Sequence, residues 1–204
     1  MTVLRSPAEV AATIPLRSAR TIVGIAGAPG SGKSTLAAEV VQVLGPGAAL
    51  LGMDGFHLSQ STLVELGRRD RMGAPDTFDV EAFVATLERL RRDEGTVTAP
   101  GFDREREEAV AGAIEIPPSV RTIVVEGNYL LQDELGWQRV APLLDVTFFL
   151  QPDDGIRLQR LIDRHVRFGK SQDAAVAWAE GPDETNARLI RPGSRRADYL
   201  IELA

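Results

Sequence analysis

Short, almost wholly apolar runs alternate along the chain with longer stretches in which apolar residues recur every three or four positions. The runs Thr21–Ala26, Ala48–Met53, Thr122–Val125, Val146–Leu150 and Asp198–Leu203 predict five strands. Near-continuous apolar character, rather than strict alternation, is the mark of strands covered on both faces, as in a parallel sheet. Between the first two runs, Lys33–Leu44 places Leu36, Val40, Val41 and Leu44 on one helical face, and Gly45-Pro46-Gly47 stops the helix. Val80, Phe83, Val84, Leu87 and Leu90 mark a second helix, and about 153–168 a third. Gln172–Ala179 and Glu184–Ile190 also read as helical. Ser6-Pro7 opens one more, Ser as N-cap and Pro at the first helical position, with Val10 and Ile14 on one face. Strands alternating with helices predict a three-layer α/β/α fold with a mainly parallel, five-stranded sheet.

Residues 55–119 are too many for a simple crossover. A short helix at Ser59–Leu66, the helix around Phe83, and a hairpin of Thr96–Ala99 with Ala111–Ile116 fill this span, which reads as an insertion over one end of the sheet. Residues of about 153–182 would form a helical lid. No repeat or linker divides the 204 residues, so one domain over 1–204 is expected.

Composition narrows the functions open to such a fold. Hydrophobic residues make up 44% and charged residues 25%, which excludes disorder over the whole chain. No apolar run reaches the roughly 18–20 residues that span a bilayer, and the first ten residues lack a secretory apolar core. A cytoplasmic protein without a membrane partner is expected. There is no Cys, which removes thiolate metal sites and cysteine nucleophiles, and only two His, His57 and His165. With 29 acidic against 23 basic residues the net charge is −6, so a nucleic-acid partner is not expected. A homodimer is compatible with the sequence, and the oligomeric state stays open.

Gly27-Ala28-Pro29-Gly30-Ser31-Gly32-Lys33-Ser34 fits G-x-x-x-x-G-K-[ST] at every fixed position, after a strand and before a helix. Glycines let such a turn wrap a phosphate with its N–H groups inward, and the helix N-terminus adds positive potential. Lys33 would reach the β- and γ-phosphates, Ser34 would ligate Mg²⁺, and the loop through Thr35 would bind ATP. A second Gly-Lys-Ser, Gly169-Lys170-Ser171, lacks the loop glycine and the preceding strand, and reads as a helix end followed by an N-cap. The guanine-reading Asn-Lys-x-Asp of GTP switches is absent.

Ligands of an open parallel sheet bind beyond the carboxyl ends of its strands. Asp54 follows the second strand and Glu126 the third, so both would lie near Lys33. Asp54 could accept the proton of an attacking hydroxyl; Glu126 could hold Mg²⁺, directly or through water. The alternative for each is a turn former beside glycine.

With Gly27–Ser34, Met53-Asp54-Gly55-Phe56-His57 and Val125-Glu126-Gly127-Asn128-Tyr129, the chain resembles the uridine kinase, phosphoribulokinase and bacterial pantothenate kinase group of P-loop kinases, from about residue 20 onward. Asp-Gly-Phe is most similar to the pantothenate kinase branch. His57, with Arg71, Gly73, Pro75, Phe78 and Asp79, looks closer still to bacterial nucleoside/nucleotide kinase-like and fructose-transport-associated kinase-like proteins. The resemblance implies that Asp54 is the catalytic base and that the insertion shapes the acceptor pocket. Uridine kinases carry Ser and Tyr around the Phe, where this chain has Gly55 and His57, and their pyrimidine-binding hairpin is replaced by Pro100-Gly101-Phe102-Asp103-Arg104. The resemblance also makes Asp79, otherwise a helix N-cap, a candidate for binding acceptor hydroxyls. His57, Asp103 and Arg104 read either as acceptor contacts or as ordinary loop residues.

Arg157, Arg160, Arg164 and Arg167 fall within an arc of about 80° on one helix. Such a stripe repels itself unless an anion lies nearby, and the transferring phosphoryl would be that anion. By resemblance, Arg160 and Arg164 match the arginines of the family's lid. The sequence thus predicts ATP- and Mg²⁺-dependent phosphoryl transfer to a hydroxyl of a small metabolite: a nucleoside, a pantothenate-like molecule or a sugar. The rival reading is a nucleotide-binding regulatory or transport-accessory ATPase without an acceptor.

Overall fold

The computed structural model describes residues 2–15 and 17–203. Its strands are β1 (Thr2–Leu4), β2 (Thr21–Gly27), β3 (Ala48–Gly52), β4 (Val97–Asp103), β5 (Glu108–Ile116), β6 (Thr122–Gly127), β7 (Val146–Leu150) and β8 (Tyr199–Ile201). Its helices are α1 (Pro7–Thr13), α2 (Lys33–Leu44), α3 (Gln60–Glu65), α4 (Val80–Arg91), α5 (Asp154–Arg167), α6 (Gln172–Trp178) and α7 (Glu184–Ile190).

The main sheet runs β1-β8-β7-β2-β6-β3, and every pairing in it is parallel. The sequence predicts five strands for the main sheet; among the described residues it has six. The additional strand, β1, is three residues long, too short to show a period, and finds its place only through pairing of Thr2–Leu4 with Tyr199–Ile201. Central β2 is buried at all seven positions, which explains its unbroken apolar run. Its residues alternate between two cores. Ile22 and Ala26 face α4, Tyr129 and Trp137, whereas Val23 and Ile25 face Val10, Leu36 and Val40 of α1 and α2. The run at 48–53 predicts an equally buried strand, but only Leu51 of β3 is fully buried. β3 is an edge strand with a neighbour on one side only.

Local signals account for several boundaries. The Ser6 hydroxyl accepts from the N–H of Glu9 at 3.2 Å, with Pro7 at the first position of α1. Asp79 caps α4 in the same way, accepting from Ala82 at 2.9 Å.

The insertion holds α3, α4 and the antiparallel pair β4–β5. Both hairpin strands are longer than the periodicity predicts, because Pro100 sits at an irregularity between Ala99 and Gly101 rather than ending the pairing. The hairpin lies directly on the turn that follows β3. A Cβ at Gly55 would stand 2.3 Å from the Pro100 carbonyl oxygen, so only glycine fits there. The segment between α3 and α4 is pinned from below by two buried rings: Tyr129 Oη donates to Gly73 O at 2.6 Å, and Trp137 Nε1 donates to Pro75 O at 3.0 Å. Both bonds give a polar tip of a buried aromatic its partner.

α5, α6 and α7 follow β7, and the first two fall within the span expected to form a lid. Ser171 caps α6, and a π-helical turn at Ala179–Asp183, containing Pro182, joins α6 to α7. Leu161, Ile162, Ala175 and Ala179 make a small core of their own, apart from the two beside the sheet. Among the described residues, no helix is long and apolar enough to cross a membrane.

Candidate active site

Three strand ends converge. β2 runs into the glycine-rich turn, which feeds the N-terminus of α2 at Lys33. Gly30 and Gly32 hold φ of 77° and 92°, a region open to glycine and strained for other residues. Gly30 is also pressed against the lid, since a Cβ there would meet Arg157 O at 2.6 Å. The loop is thus glycine-rich for two reasons, its own path and the close approach of α5.

β3 ends at Gly52, which pairs in register with Glu126 of β6, itself beside Ile25 of β2. The turn Met53–Phe56 then carries Asp54. Its Oδ2 accepts from Arg104 Nη2, at the hairpin tip, at 3.2 Å. His57 Nδ1 lies 2.9 Å from Asp54 O. A carbonyl can only accept, so Nδ1 carries the proton and Nε2 is the free ring nitrogen of the neutral form. The His57 ring packs 3.9 Å from Phe78 and 4.9 Å from Phe102, centroid to centroid.

The charges in this cluster shape one another. Burial draws the Lys33 ammonium below its ordinary value, against Glu126 and Asp54, which favour the charged form. Burial would raise Asp54, but His57, cationic only at the acid pH where this carboxyl titrates, and the charges of Arg104, Lys33 and Arg164 outweigh it and hold the carboxyl below the usual range. Burial lifts Glu126 above its ordinary value despite Lys33, with the Asp54 charge adding to the rise. Burial lowers His57 and keeps the imidazole neutral near pH 7.

Three cavities surround the cluster. The first opens beyond Asp54, between the hairpin and the lid, and is lined by Lys33, Asp54, His57, Arg104, Asn128 and Arg164, among others. The second lies on the far side of the glycine-rich loop, against Gly30, Ser34, Thr35, Arg160, Arg164 and Arg167. The third is bounded by Ala28, Gln151, Arg157, Pro192, Ser194 and Arg195.

Most residues singled out in the sequence meet here, with exceptions. Asp79 is outside the cavity lining; its carboxylate caps α4. Asp103 is outside too, because its Oδ1 accepts the N–H groups of Glu105 and Arg106 in the hairpin turn. The four arginines of α5 do not form one stripe. Arg157 is only 3% exposed and is taken up by Asp154, Glu184 and the Pro29 carbonyl, bracing α5 against the loop. Arg160 reaches Ser31 O at 3.4 Å, and Arg164 borders two cavities. Periodicity gave their angular spread but not which of them would find Glu184 of α7.

The first cavity also takes in residues that sequence reasoning missed: Arg69, His165, Lys170, Trp178, Asp183 and Asn186. Lys170 belongs to the second Gly-Lys-Ser. That segment is the helix end and N-cap expected of it, with Gly169 at φ 97° and Ser171 capping α6, yet the turn aims its lysine at the cavity.

A glycine-rich Lys-Ser turn at the end of a central parallel strand, with Glu126 near the end of the strand beside it and Asp54 just past the edge strand beyond, defines a P-loop kinase fold. The chain matches the phosphoribulokinase/uridine kinase family over residues 22–204, and it belongs to that family. An uncharacterised Escherichia coli K12 protein, YggC, is 33% identical over 90% of this chain and 78% of its own length. The uridine kinase of Leuconostoc citreum is 33% identical over 71% of this chain and 68% of that one. Among solved structures, a candidate fructose transport system kinase from Silicibacter sp. TM1040 superposes with a TM-score of 0.87 at 38% identity, covering 97% of this chain and 99% of that one.

Proposed function

We propose that the protein transfers the γ-phosphoryl group of ATP to a hydroxyl of a small metabolite. The observation that carries this reading is a cavity that starts at Lys33 and Asp54 and extends away from the phosphate loop, leaving room for a second substrate beside the nucleotide. A nucleotide switch needs no such room, nor an ionised carboxylate facing it.

The loop amides from Gly27 to Thr35 and the N-terminus of α2 would bind the phosphates. The nucleotide base would take the third cavity, between Ala28 and the segment 192–195. Lys33 would hold the γ-phosphoryl, with Arg160 and Arg164 closing over its developing charge. The residues also fit Mg²⁺. The Ser34 hydroxyl lies against the Glu126 carboxylate, a hard-oxygen pair in a buried place where a cation relieves the strain on a charged acid. Two protein oxygens, with phosphate and water completing the shell, is the way this ion is usually held beside phosphates. When bound, the metal neutralises charge on the β- and γ-phosphates.

Asp54 would take the proton of the acceptor hydroxyl as that oxygen forms its bond to the γ-phosphorus. The bond from phosphorus to the β,γ-bridging oxygen breaks, and ADP leaves with that electron pair. An ionised Asp54 suits the task, and its depressed titration keeps it ionised well below neutral pH. Incubation with MgATP and a panel of nucleosides, pantothenate, sugars and sugar phosphates tests the reading. A phosphorylated acceptor formed in step with ADP is the expected result. Release of inorganic phosphate at one rate whatever acceptor is present contradicts it.

A further inference from the structure

Two independent features of the acceptor side point to the chemistry of the acceptor. The first is the state of Asp54. In the resting protein its Oδ2 already accepts from Arg104, so the proton acceptor is engaged by a guanidinium. A neutral hydroxyl compound entering the cavity offers Arg104 nothing in exchange for a carboxylate. An acceptor that brings its own anionic group does, because a charge-assisted bond can replace the one to Asp54.

The second feature is Lys170. The chain has two lysines among its 23 basic residues, and the other is Lys33 of the phosphate loop. Lys170 Nζ sits 4.5 Å from the centroid of the Trp178 ring, in the first cavity. Among the described residues it has no carboxylate at ion-pair distance, whereas each acid lining that cavity is already partnered: Asp54 by Arg104, Glu107 by Arg69, and Asp183 by His165. A ring face attracts the ammonium without using up its N–H donors in full, so a held cation faces open space. Nucleotide phosphates do not account for it. Lys33, Arg104 and Arg164 border the second cavity, beside the phosphate loop, as well as this one, while Lys170 and Arg69 border the acceptor cavity and not the second.

We propose that the acceptor is a small polyhydroxy compound that already bears an anionic group, a phosphate ester or a carboxylate, and that Lys170 and Arg104 bind that group. The proposal rests on the kinase reading above. Binding the anion draws Arg104 off Asp54 at the moment a hydroxyl is presented to it, so recognition of charge and release of the base are one event. Neutral nucleosides and free sugars would then be poor acceptors for lack of charge, not of size.

The test is calorimetric titration of the protein saturated with a non-hydrolysable MgATP analogue. The ligands are a pentose 5-phosphate and its free pentose, and glycerate and glycerol. At least one anionic ligand should bind roughly 10- to 100-fold tighter than its neutral counterpart, the range of one charge-assisted contact. Lys170→Met should remove most of that preference, Lys170→Arg should keep it, and affinity for the ATP analogue should stay within about twofold of wild type. Whether the phosphate ester or the carboxylate wins identifies the anion. Neutral ligands bound as tightly as anionic ones, no binding of either anionic ligand, or an unchanged preference in Lys170→Met would each overturn the proposal. Phosphorylation of a neutral acceptor only would overturn it while leaving the kinase reading in place. A protein that binds no ATP analogue would remove the kinase reading itself.

Discussion

Lys33, Asp54 and Glu126 carry different burdens although they lie within one cluster. Lys33 should be dispensable for folding, since burial already disfavours its charge. Lys33→Ala should therefore lower turnover by on the order of 10²-fold, the loss of one strong contact to the transferring group, without lowering the melting temperature; steady-state kinetics beside a thermal melt would check both. Glu126 yields a stability prediction with a definite sign. Burial raises its folded-state titration above the ordinary glutamate value of 4.5. A raised carboxyl stabilises the fold while protonated, and that contribution is lost as pH rises through the raised value. Near neutral pH, nucleotide-free Glu126→Gln should thus melt above the wild type, and the gap should close as pH falls toward the ordinary glutamate value. Melts across pH 4–8 check this, and a variant that melts below wild type at pH 7.5 would contradict it. The loop, Asp54 and Glu126 were legible because each depends on a short fixed spacing at a strand end. Lys170, His165 and Asn186 were not, because their meeting with Arg69 and His57 depends on how α5, α6 and the π-helical turn fold back over the sheet.

At the scale of elements, α5 braces the glycine-rich loop and is proposed to close over it as a lid. Its first turn is tied to the body by Arg157, and its middle presents Arg160 and Arg164 to the phosphate loop. Arg157→Ala breaks a buried pair, although Arg191 still serves Glu184. A loss of about 3 kcal/mol is expected, the low end for such pairs, or roughly 6–12 °C in melting temperature for a chain of this size. Arg164→Ala should change stability by no more than about 0.5 kcal/mol and yet lower turnover by at least tenfold. Thermal melts and rates on both variants would check the contrast; a destabilised Arg164→Ala with a normal rate would make α5 a brace throughout. The heptad-like spacing showed the angular spread of the arginines, but it could not show that Glu184 of α7 claims one of them. Short β1 and the long hairpin escaped for the same reason: a three-residue strand has no period, and a proline that normally ends a strand is accommodated here by an irregular pairing.

Across the whole molecule, one parallel sheet determines the polarity of everything else. Because β2, β3 and β6 run the same way, their carboxyl ends deliver the glycine-rich loop, Asp54 and Glu126 to one edge, with the hairpin and α5 to either side of the first cavity there. That much follows from alternating apolar runs and a right-placed motif. In the proposed reaction Asp54 serves the acceptor and not the nucleotide. Asp54→Asn keeps the shape and removes the proton-accepting charge. The decisive measurement is the rate of acceptor phosphorylation by this variant, set beside its affinity for a non-hydrolysable ATP analogue. The account predicts a rate lower by about 10²- to 10⁴-fold at an affinity close to wild type. An unchanged rate, or an affinity that falls as far as the rate, would contradict it.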